Sequence, residues 1–286
     1  MRYWLTKSMF GTRSMGIMSK ALFQVRNMYL SLPDRARKRV FGPAPKIEIL
    51  KDLNFDIHRR EVLGIVGGSG SGKSTTGRAL VRLLKPTQGS VTFDGRDITH
   101  LGAVALKPLR RRFKMIFQDP LSSLNPRHSV SRLIGGPLNL EGFSDVDGRV
   151  VDALSQVGLT KEFMGRYPHE MSGGQRQRIG IARAIASRPD FILADEIVSG
   201  LDVSNQAQIL NLLENLVADL DLTLAFVSHD LSVIRRLCHR VMVMHQGEIV
   251  EIGAVDKVFD APQHSYTREL LNAIPLPDPD QDWAAA

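Results

Sequence analysis

The chain has 286 residues, 43 % of them hydrophobic and 23 % charged, and carries a net charge of +7 at pH 7. That composition belongs to a globular protein large enough to bury a real core, and it excludes a disordered or fibrous chain. Its one cysteine, Cys238, excludes an internal disulfide framework or thiolate metal site. No apolar run approaches the roughly 18 residues that cross a bilayer, so work at a membrane requires another subunit as anchor.

Much of the positive charge lies in the first forty residues, where Asp34 is the only acid. The run Arg35-Ala36-Arg37-Lys38-Arg39 reads as a solvated basic loop, with a membrane-surface or partner contact as the alternative. Residues 1–17 are basic and Met-rich but lack the sustained apolar centre of a signal peptide. Met18 reads as an alternative start, so 1–17 is expected to be an upstream extension and 1–20 to be poorly ordered. Strands follow at 47–50, 53–57 and 61–66, the last apolar enough to be buried on both faces. After a glycine-rich turn, a helix is expected from about Lys73 to Leu84, with Ala79, Leu80, Leu83 and Leu84 as its apolar stripe and Pro86 ending it.

Residues 113–117 read as another strand. From 119 to 170, Pro120, Asn125-Pro126, Gly135-Gly136-Pro137 and Gly142 punctuate short helical patterns. This stretch reads as a small helical insert, a subdomain spanning about 119–175. Strands at 190–195, 222–227 and 241–244 then alternate with helices at 175–187, 203–219 and 230–238. Such alternation argues for a parallel α/β core. No period of roughly 20–50 residues repeats, which excludes a solenoid. Cys238 reads as a small buried hydrophobe. The Pro-rich, acidic tail, 275–286, reads as flexible, and Asp278, Asp280 and Asp282 within it as solvated rather than metal-binding.

Gly67-Gly68-Ser69-Gly70-Ser71-Gly72-Lys73-Ser74 matches G-x-x-x-x-G-K-S/T between a buried strand and a helix. Glycines let such a loop wrap with its N–H groups inward, and the helix dipole adds its positive end. Lys73 can reach the β- and γ-phosphates and the Ser74 hydroxyl can ligate Mg²⁺; Thr75 is taken as part of the cradle. This motif alone specifies a P-loop NTPase. The apolar run Phe191-Ile192-Leu193-Ala194 ends in Asp195-Glu196, where a parallel strand presents its carboxyl end to a ligand. Asp195 is placed to hold Mg²⁺ and Glu196 to act as general base. Met171-Ser172-Gly173-Gly174-Gln175 carries S-x-x-Q capping spacing ahead of an Ala/Ile-rich helix. Its two glycines leave the helix end bare for an anion.

Six motifs in order then identify a resemblance. They are the phosphate loop, Gln118 after the strand 113–117, Met171 to Gln175, Asp195-Glu196, Ser199-Gly200-Leu201-Asp202, and His229 in Val227-Ser228-His229-Asp230. Over about residues 22–274 the chain resembles the ABC ATPases. The resemblance implies an α/β fold: a P-loop NTPase, RecA-like core with an N-terminal antiparallel β subdomain and an inserted helical subdomain, the ATPase domain running over 21–274. It implies ATP and Mg²⁺ as ligands and a head-to-tail dimer. In that dimer, the phosphate loop of one subunit and Ser172, Gly173, Gly174 and Gln175 of the other sandwich each ATP. Gln118 would contact Mg²⁺ or water and sense the transporter, Asp202 would cross the dimer seam, and His229 would touch the γ-phosphate. An aromatic from the N-terminal β region is expected to stack on adenine; Tyr29 fits best, with Phe41 as competitor.

Further stretches are similar to the peptide and nickel importer subfamily. They include Ile116 to Pro120, Ser123 to Arg127, Arg166 to Glu170, Asp202 to Leu213, and His264 to Leu271 leading into Ile274-Pro275. The resemblance implies ATP-driven import, of peptides first, of nickel or another small solute as the alternative. A nucleic-acid-associated ABC ATPase is the remaining class, lacking its usual second cassette or coiled coil here. The implied partners are membrane permease subunits, a second ATPase subunit and, indirectly, an extracytoplasmic solute-binding protein; the implied place is the cytoplasmic face of the bacterial inner membrane. Two positions depart from the pattern. Ile197-Val198 follows Glu196 where Pro-Thr or Pro-Val is usual, and Gly200 replaces an alanine; losing the proline is expected to free the loop backbone and slow or loosen hydrolysis.

Overall fold

The computed structural model describes residues 20–34, 45–119 and 123–273. The expectations for the extension before Lys20, the basic run 35–39, Phe41 and the tail from Pro275 lie outside them.

The chain opens on two long strands, β1 (Ala21–Pro33) and β2 (Lys46–His58), paired antiparallel. The stretches 47–50 and 53–57, read separately from sequence, are thus one strand. The apparent break at Lys51-Asp52 is a bulge: Asn27 and Asp52 both take positive φ, and the Asn27 amide donates to Asp52 Oδ1 at 2.8 Å. Short Asx side chains tolerate that backbone, so an extra residue kinks the ladder without ending it. Next come β3 (Val62–Val66) and α1 (Lys73–Leu80). The helix stops one turn before the expected Leu84, because Arg82 turns left-handed and its guanidinium donates to the Ile98 carbonyl at 2.8 Å. Leu83, expected on the apolar stripe, is accordingly 53 % exposed.

The strands β4 (Gln88–Phe93) and β5 (Arg96–Asp97) complete an antiparallel sheet of order β2-β1-β4-β5. After α2 (Ala103–Leu106) and β6 (Phe113–Ile116), the helices α3 (Val130–Leu140), α4 (Val146–Gln156) and α5 (Gly173–Ile185) follow. The Gly135-Gly136-Pro137 run, read as punctuation, lies inside α3; burial of Val130, Leu133, Ile134 and Leu138 holds the helix through it. The remainder runs β7 (Phe191–Asp195), α6 (Val203–Asp219), β8 (Thr223–Val227), α7 (Leu231–Leu237), β9 (Arg240–His245), β10 (Glu248–Ala254), α8 (Val255–Asp260) and α9 (Ser265–Asn272).

The second sheet has the order β10-β9-β3-β8-β7-β6, parallel except for its β10 edge. Every residue of β3, β7 and β8 is buried, as expected of parallel strands covered on both faces. One face packs on the antiparallel sheet and α1; the other packs on the helices of the insert and on α6 and α7. Phe23, Phe93, Phe113 and Phe191 join the two sheets with ring centroids 4.7 to 6.4 Å apart. Over them lies a four-member ionic clamp: Arg59 and Arg112 each bond both Asp94 and Asp190, at 2.6 to 3.3 Å. The two arginines hold the Asp94 carboxyl below its ordinary pKa. The antiparallel sheet is therefore fastened to the amino ends of β3, β6 and β7, opposite their carboxyl ends.

Candidate active site

Because β3, β6, β7 and β8 run parallel, their carboxyl ends share one edge of the sheet. The loops leaving that edge carry Gly67 to Ser74, Gln118, Glu196 and His229, with Asp195 closing β7. Gly67 has φ +145°, and a Cβ there would stand 2.1 Å from the Met244 carbonyl oxygen; only glycine fits so close a backbone approach. Lys73 is buried and folds back, donating to the Gly67 and Gly68 carbonyls at 2.8 Å each. Burial lowers its pKa, opposed by the charges of Glu196 and Asp195. Inside the loop, the buried Ser71 hydroxyl has no hydrogen-bond partner among the described residues. Buried polar groups are ordinarily paired, so this cradle is suited to a polar ligand.

The Ser74 hydroxyl donates to Asp195 Oδ1 at 2.7 Å, although 121 residues separate them. Arg78 lies 3.7 Å from the other carboxylate oxygen. Burial raises the Asp195 pKa, more than Ser74, Arg78 and Lys73 lower it. A carboxylate so deprived of water favours a cation at hand. Glu196 turns sharply out of the strand, with φ +51°. Non-glycine residues seldom adopt that conformation, which costs on the order of 1 kcal/mol. The turn is fixed by its N–H on the Val227 carbonyl and by Ser199, whose N–H and hydroxyl both donate to the Glu196 carbonyl. The side chain thereby lies 3.8 Å from His229 Nδ1. The Gln118 amide reaches Ser199 Oγ at 3.5 Å, so Gln118 meets the Glu196 turn rather than the Ser74–Asp195 pair.

A second group assembles around the start of α5. Ser172 Oγ accepts from the Gln175 N–H, and Gln175 Oε1 accepts from the Ser172 N–H at 3.0 Å, closing the capping box. Ser172 and Gly173 are exposed, whereas Gly174 is buried against Asn205; a Cβ at 174 would stand 2.8 Å from Asn205 Oδ1. Asp202 caps α6 and holds Asn205 twice, at 2.9 Å to its N–H and 2.6 Å to its amide. These bonds, the backbone one first, lower the Asp202 pKa. Tyr29 stands apart from both groups by sequence but near the loop by register. It precedes Leu30, which pairs with Leu50, and the Leu50 side chain lies 2.8 Å from a Cβ placed on Gly72.

Three residues overlooked in the sequence take part. Asn205 joins Asp202 to Gly174. Gln177 is buried and donates to the Ile197 carbonyl at 2.7 Å, tying α5 to the turn after Glu196. Tyr266 accepts a hydrogen bond from the Gly68 N–H at 2.8 Å. Nothing local marks any of them; the S-x-x-Q pattern ends before Gln177, and the other contacts cross elements.

Residues 50–199 match the family described as ABC transporter, and residues 250–286 match the oligopeptide/dipeptide transporter C-terminal region. A Brucella ovis protein, named provisionally as a peptide import ATP-binding protein, is 51 % identical over 237 residues, covering 82 % of this chain and 75 % of that one. The glutathione import ATP-binding protein GsiA of Salmonella paratyphi A is 47 % identical over 262 residues, covering 90 % of this chain and 42 % of that longer one. Among solved structures, the dimeric ATP-binding cassette MJ0796 bound to ADP and Pi has a TM-score of 0.71 at 29 % identity, covering 82 % of this chain and 98 % of it. The CbiO1 subunit of a Clostridium perfringens transporter complex has a TM-score of 0.73 at 26 % identity, covering 85 % and 92 % respectively.

Proposed function

The chain belongs to the ABC transporter family, as an ATP-binding and ATP-hydrolysing importer subunit, and from that premise we propose that it drives peptide uptake through membrane permease partners. Its site is completed when a second ATPase subunit docks head to tail. The match of residues 250–286 to the oligopeptide/dipeptide C-terminal region carries the peptide assignment. Relatives named for peptide and glutathione import, the latter itself a short peptide, support it.

Lys73 exchanges the Gly67 and Gly68 carbonyls for the β- and γ-phosphate oxygens, and the Ser71 hydroxyl gains a partner. The remaining cradle, Gly67, Gly68, Ser69, Gly70, Gly72 and Thr75, wraps the same phosphates, and Tyr29 stacks on adenine. Oxygen donors only 2.7 Å apart on Ser74 and Asp195 suit a hard divalent ion. Mg²⁺ held there would neutralise charge on the phosphates, and Gln118, whose amide here reaches Ser199 Oγ, would reach toward it once ATP is bound. Glu196, held by its strained turn, takes the proton of the attacking water, and His229 donates to the γ-phosphate. The bare α5 end of the partner, Ser172 to Gln175, points its N–H groups and dipole at the same phosphates, and Asp202 lies at the seam. The dimeric ADP- and phosphate-bound relative supports this arrangement.

Permease contact is assigned to the groove lined by Lys114, Met115, Phe117, Pro137 and Arg183. Phe117 there is 41 % exposed and adjoins Gln118, so a partner pressing on the groove reaches the Glu196 turn through Ser199. No helix among the described residues is long and apolar enough to cross a membrane; peripheral attachment on the cytoplasmic face is part of the same proposal. The test is uptake of labelled oligopeptide into vesicles carrying this chain with its co-purified permease. ATP-dependent accumulation is expected. Accumulation of nickel ions with no peptide uptake sinks the peptide assignment.

A further inference from the structure

The phosphate loop is gripped from behind by the C-terminal helix. Tyr266, on the first turn of α9, accepts the Gly68 N–H at 2.8 Å. Its ring lies against His245, centroids 3.9 Å apart. His245 closes β9, and the neighbouring Met244 carbonyl is the group that forbids a side chain at Gly67. Tyr266 is itself held by a relay from the sheet edge. The Glu251 carboxylate on β10 accepts the N–H groups of Gln263 and His264 at 3.0 and 3.1 Å. His264 Nδ1 in turn accepts the Tyr266 N–H at 3.1 Å, capping α9. Gly68 suits this contact, since a Cβ there would stand 3.0 Å from the Tyr266 hydroxyl oxygen.

From this geometry we infer that Tyr266 is a positioning residue for ATP binding, acting through Gly68. A loop of several glycines loses much backbone entropy when it closes on phosphate. Fixing one of its amides beforehand removes part of that cost. The Gly67 carbonyl, which accepts from Lys73, shares its peptide unit with the anchored amide. Tyr266 therefore sets the peptide unit that Lys73 must leave to meet the nucleotide. The consequence is that Tyr266 governs how tightly ATP is held, not how fast the bound complex reacts. The Glu251–His264 relay gives the C-terminal segment a direct mechanical hold on nucleotide affinity. This inference rests on Gly67 to Ser74 being the ATP site.

The test compares Tyr266→Phe and Lys73→Ala with the unaltered full chain, in ATPase kinetics and in amide hydrogen exchange at Gly68. Tyr266→Phe keeps the ring on His245 and removes only the hydroxyl. It is expected to raise KM for ATP about 3- to 10-fold, the loss of one neutral hydrogen bond. Alongside, kcat should stay within about twofold, Tm should fall no further than the roughly 2–4 °C one lost hydrogen bond carries, and Gly68 exchange should be faster. An unchanged KM, or an unchanged Gly68 exchange rate, overturns the inference. So does a KM rise accompanied by a matching fall in kcat, or by a Tm loss well beyond that of one hydrogen bond, which would mark general loosening. If Lys73→Ala still binds ATP normally, the ATP-site reading has failed instead; if that variant is inactive while Tyr266→Phe behaves as unaltered protein, only the Tyr266 inference has.

Discussion

At the carboxyl ends of the parallel strands Lys73 and Asp195 are buried and Glu196 is strained, whereas at the start of α5 Ser172 and Gly173 stand in solvent and Ser172 and Gln175 satisfy one another. Lys73 and Asp195 are both under 10 % exposed, and burial has moved both pKa values toward the neutral form. The Ser71 hydroxyl has no hydrogen-bond partner among the described residues, and Glu196 sits on a strained backbone. In contrast, Ser172 and Gln175 close a reciprocal cap, and Asp202 is held ionised by Asn205. The first region is built to seize a charged ligand from water by itself. The second closes its own hydrogen bonds; on the proposed function it gains chemistry when a second subunit is brought to it, with binding open to one subunit and hydrolysis to two.

The largest expected effect separates binding from chemistry within the first region. Glu196→Gln should lower kcat on the order of 10²–10⁴-fold, the usual reach of general-base catalysis, while ATP still binds and the closed dimer accumulates. Phosphate release measured beside size-exclusion of the ATP-bound protein reads both; unaltered turnover would remove Glu196 from the role of base. Next, Gly174→Val tests the second region. It should cut turnover about 10²-fold, comparable to losing a positioned anion donor. ATP affinity of the dilute single chain should stay within about twofold, as for distant independent sites. If nucleotide binding by the isolated chain collapsed too, the two regions would not be separable. The smallest effect concerns acid. Asp195, with its pKa raised, takes up a proton above the ordinary carboxylate value of about 4 as pH falls. Asp202, with its pKa lowered, does so only below that value. Its cap therefore contributes in full above about 4 and is lost as pH falls through the folded value. Mildly acidic buffer should thus weaken Mg²⁺-ATP binding while leaving the α6 cap intact. Titrating the two carboxyls by NMR checks the order, and the reverse order would contradict the contrast drawn between the regions.

Legibility in the sequence followed the range of the interactions. Residues 61–66 and 190–195 read as buried strands because an apolar run is a local signal, and α6 matches the helix expected over 203–219. The Ser172 cap was readable because its two partners are three residues apart. By contrast, β1, with its bulge partner in β2, left little trace. A strand pairing through Asn27 and Asp52 looks like a turn when read along the chain. The Leu84 helix end was misjudged for a similar reason: Pro86 is a visible stop, but Arg82 reaching the Ile98 carbonyl stops the helix first. Gln177, Asn205 and Tyr266 escaped because each does its work on another element.

The chain's own order of residues was enough to determine the phosphate cradle, the bare capped helix end and the acidic pair closing a buried strand. Each depends on backbone torsions and hydrogen bonds spanning a few residues, which glycine, serine and aspartate settle locally. Only the tertiary structure decided that Ser74 meets Asp195, that Glu196 faces His229, and that Tyr266 holds an amide 198 residues away. Those meetings follow from strand order and from which helix covers which face. Order of that kind is set by the burial of the whole core, not by any short stretch of chain.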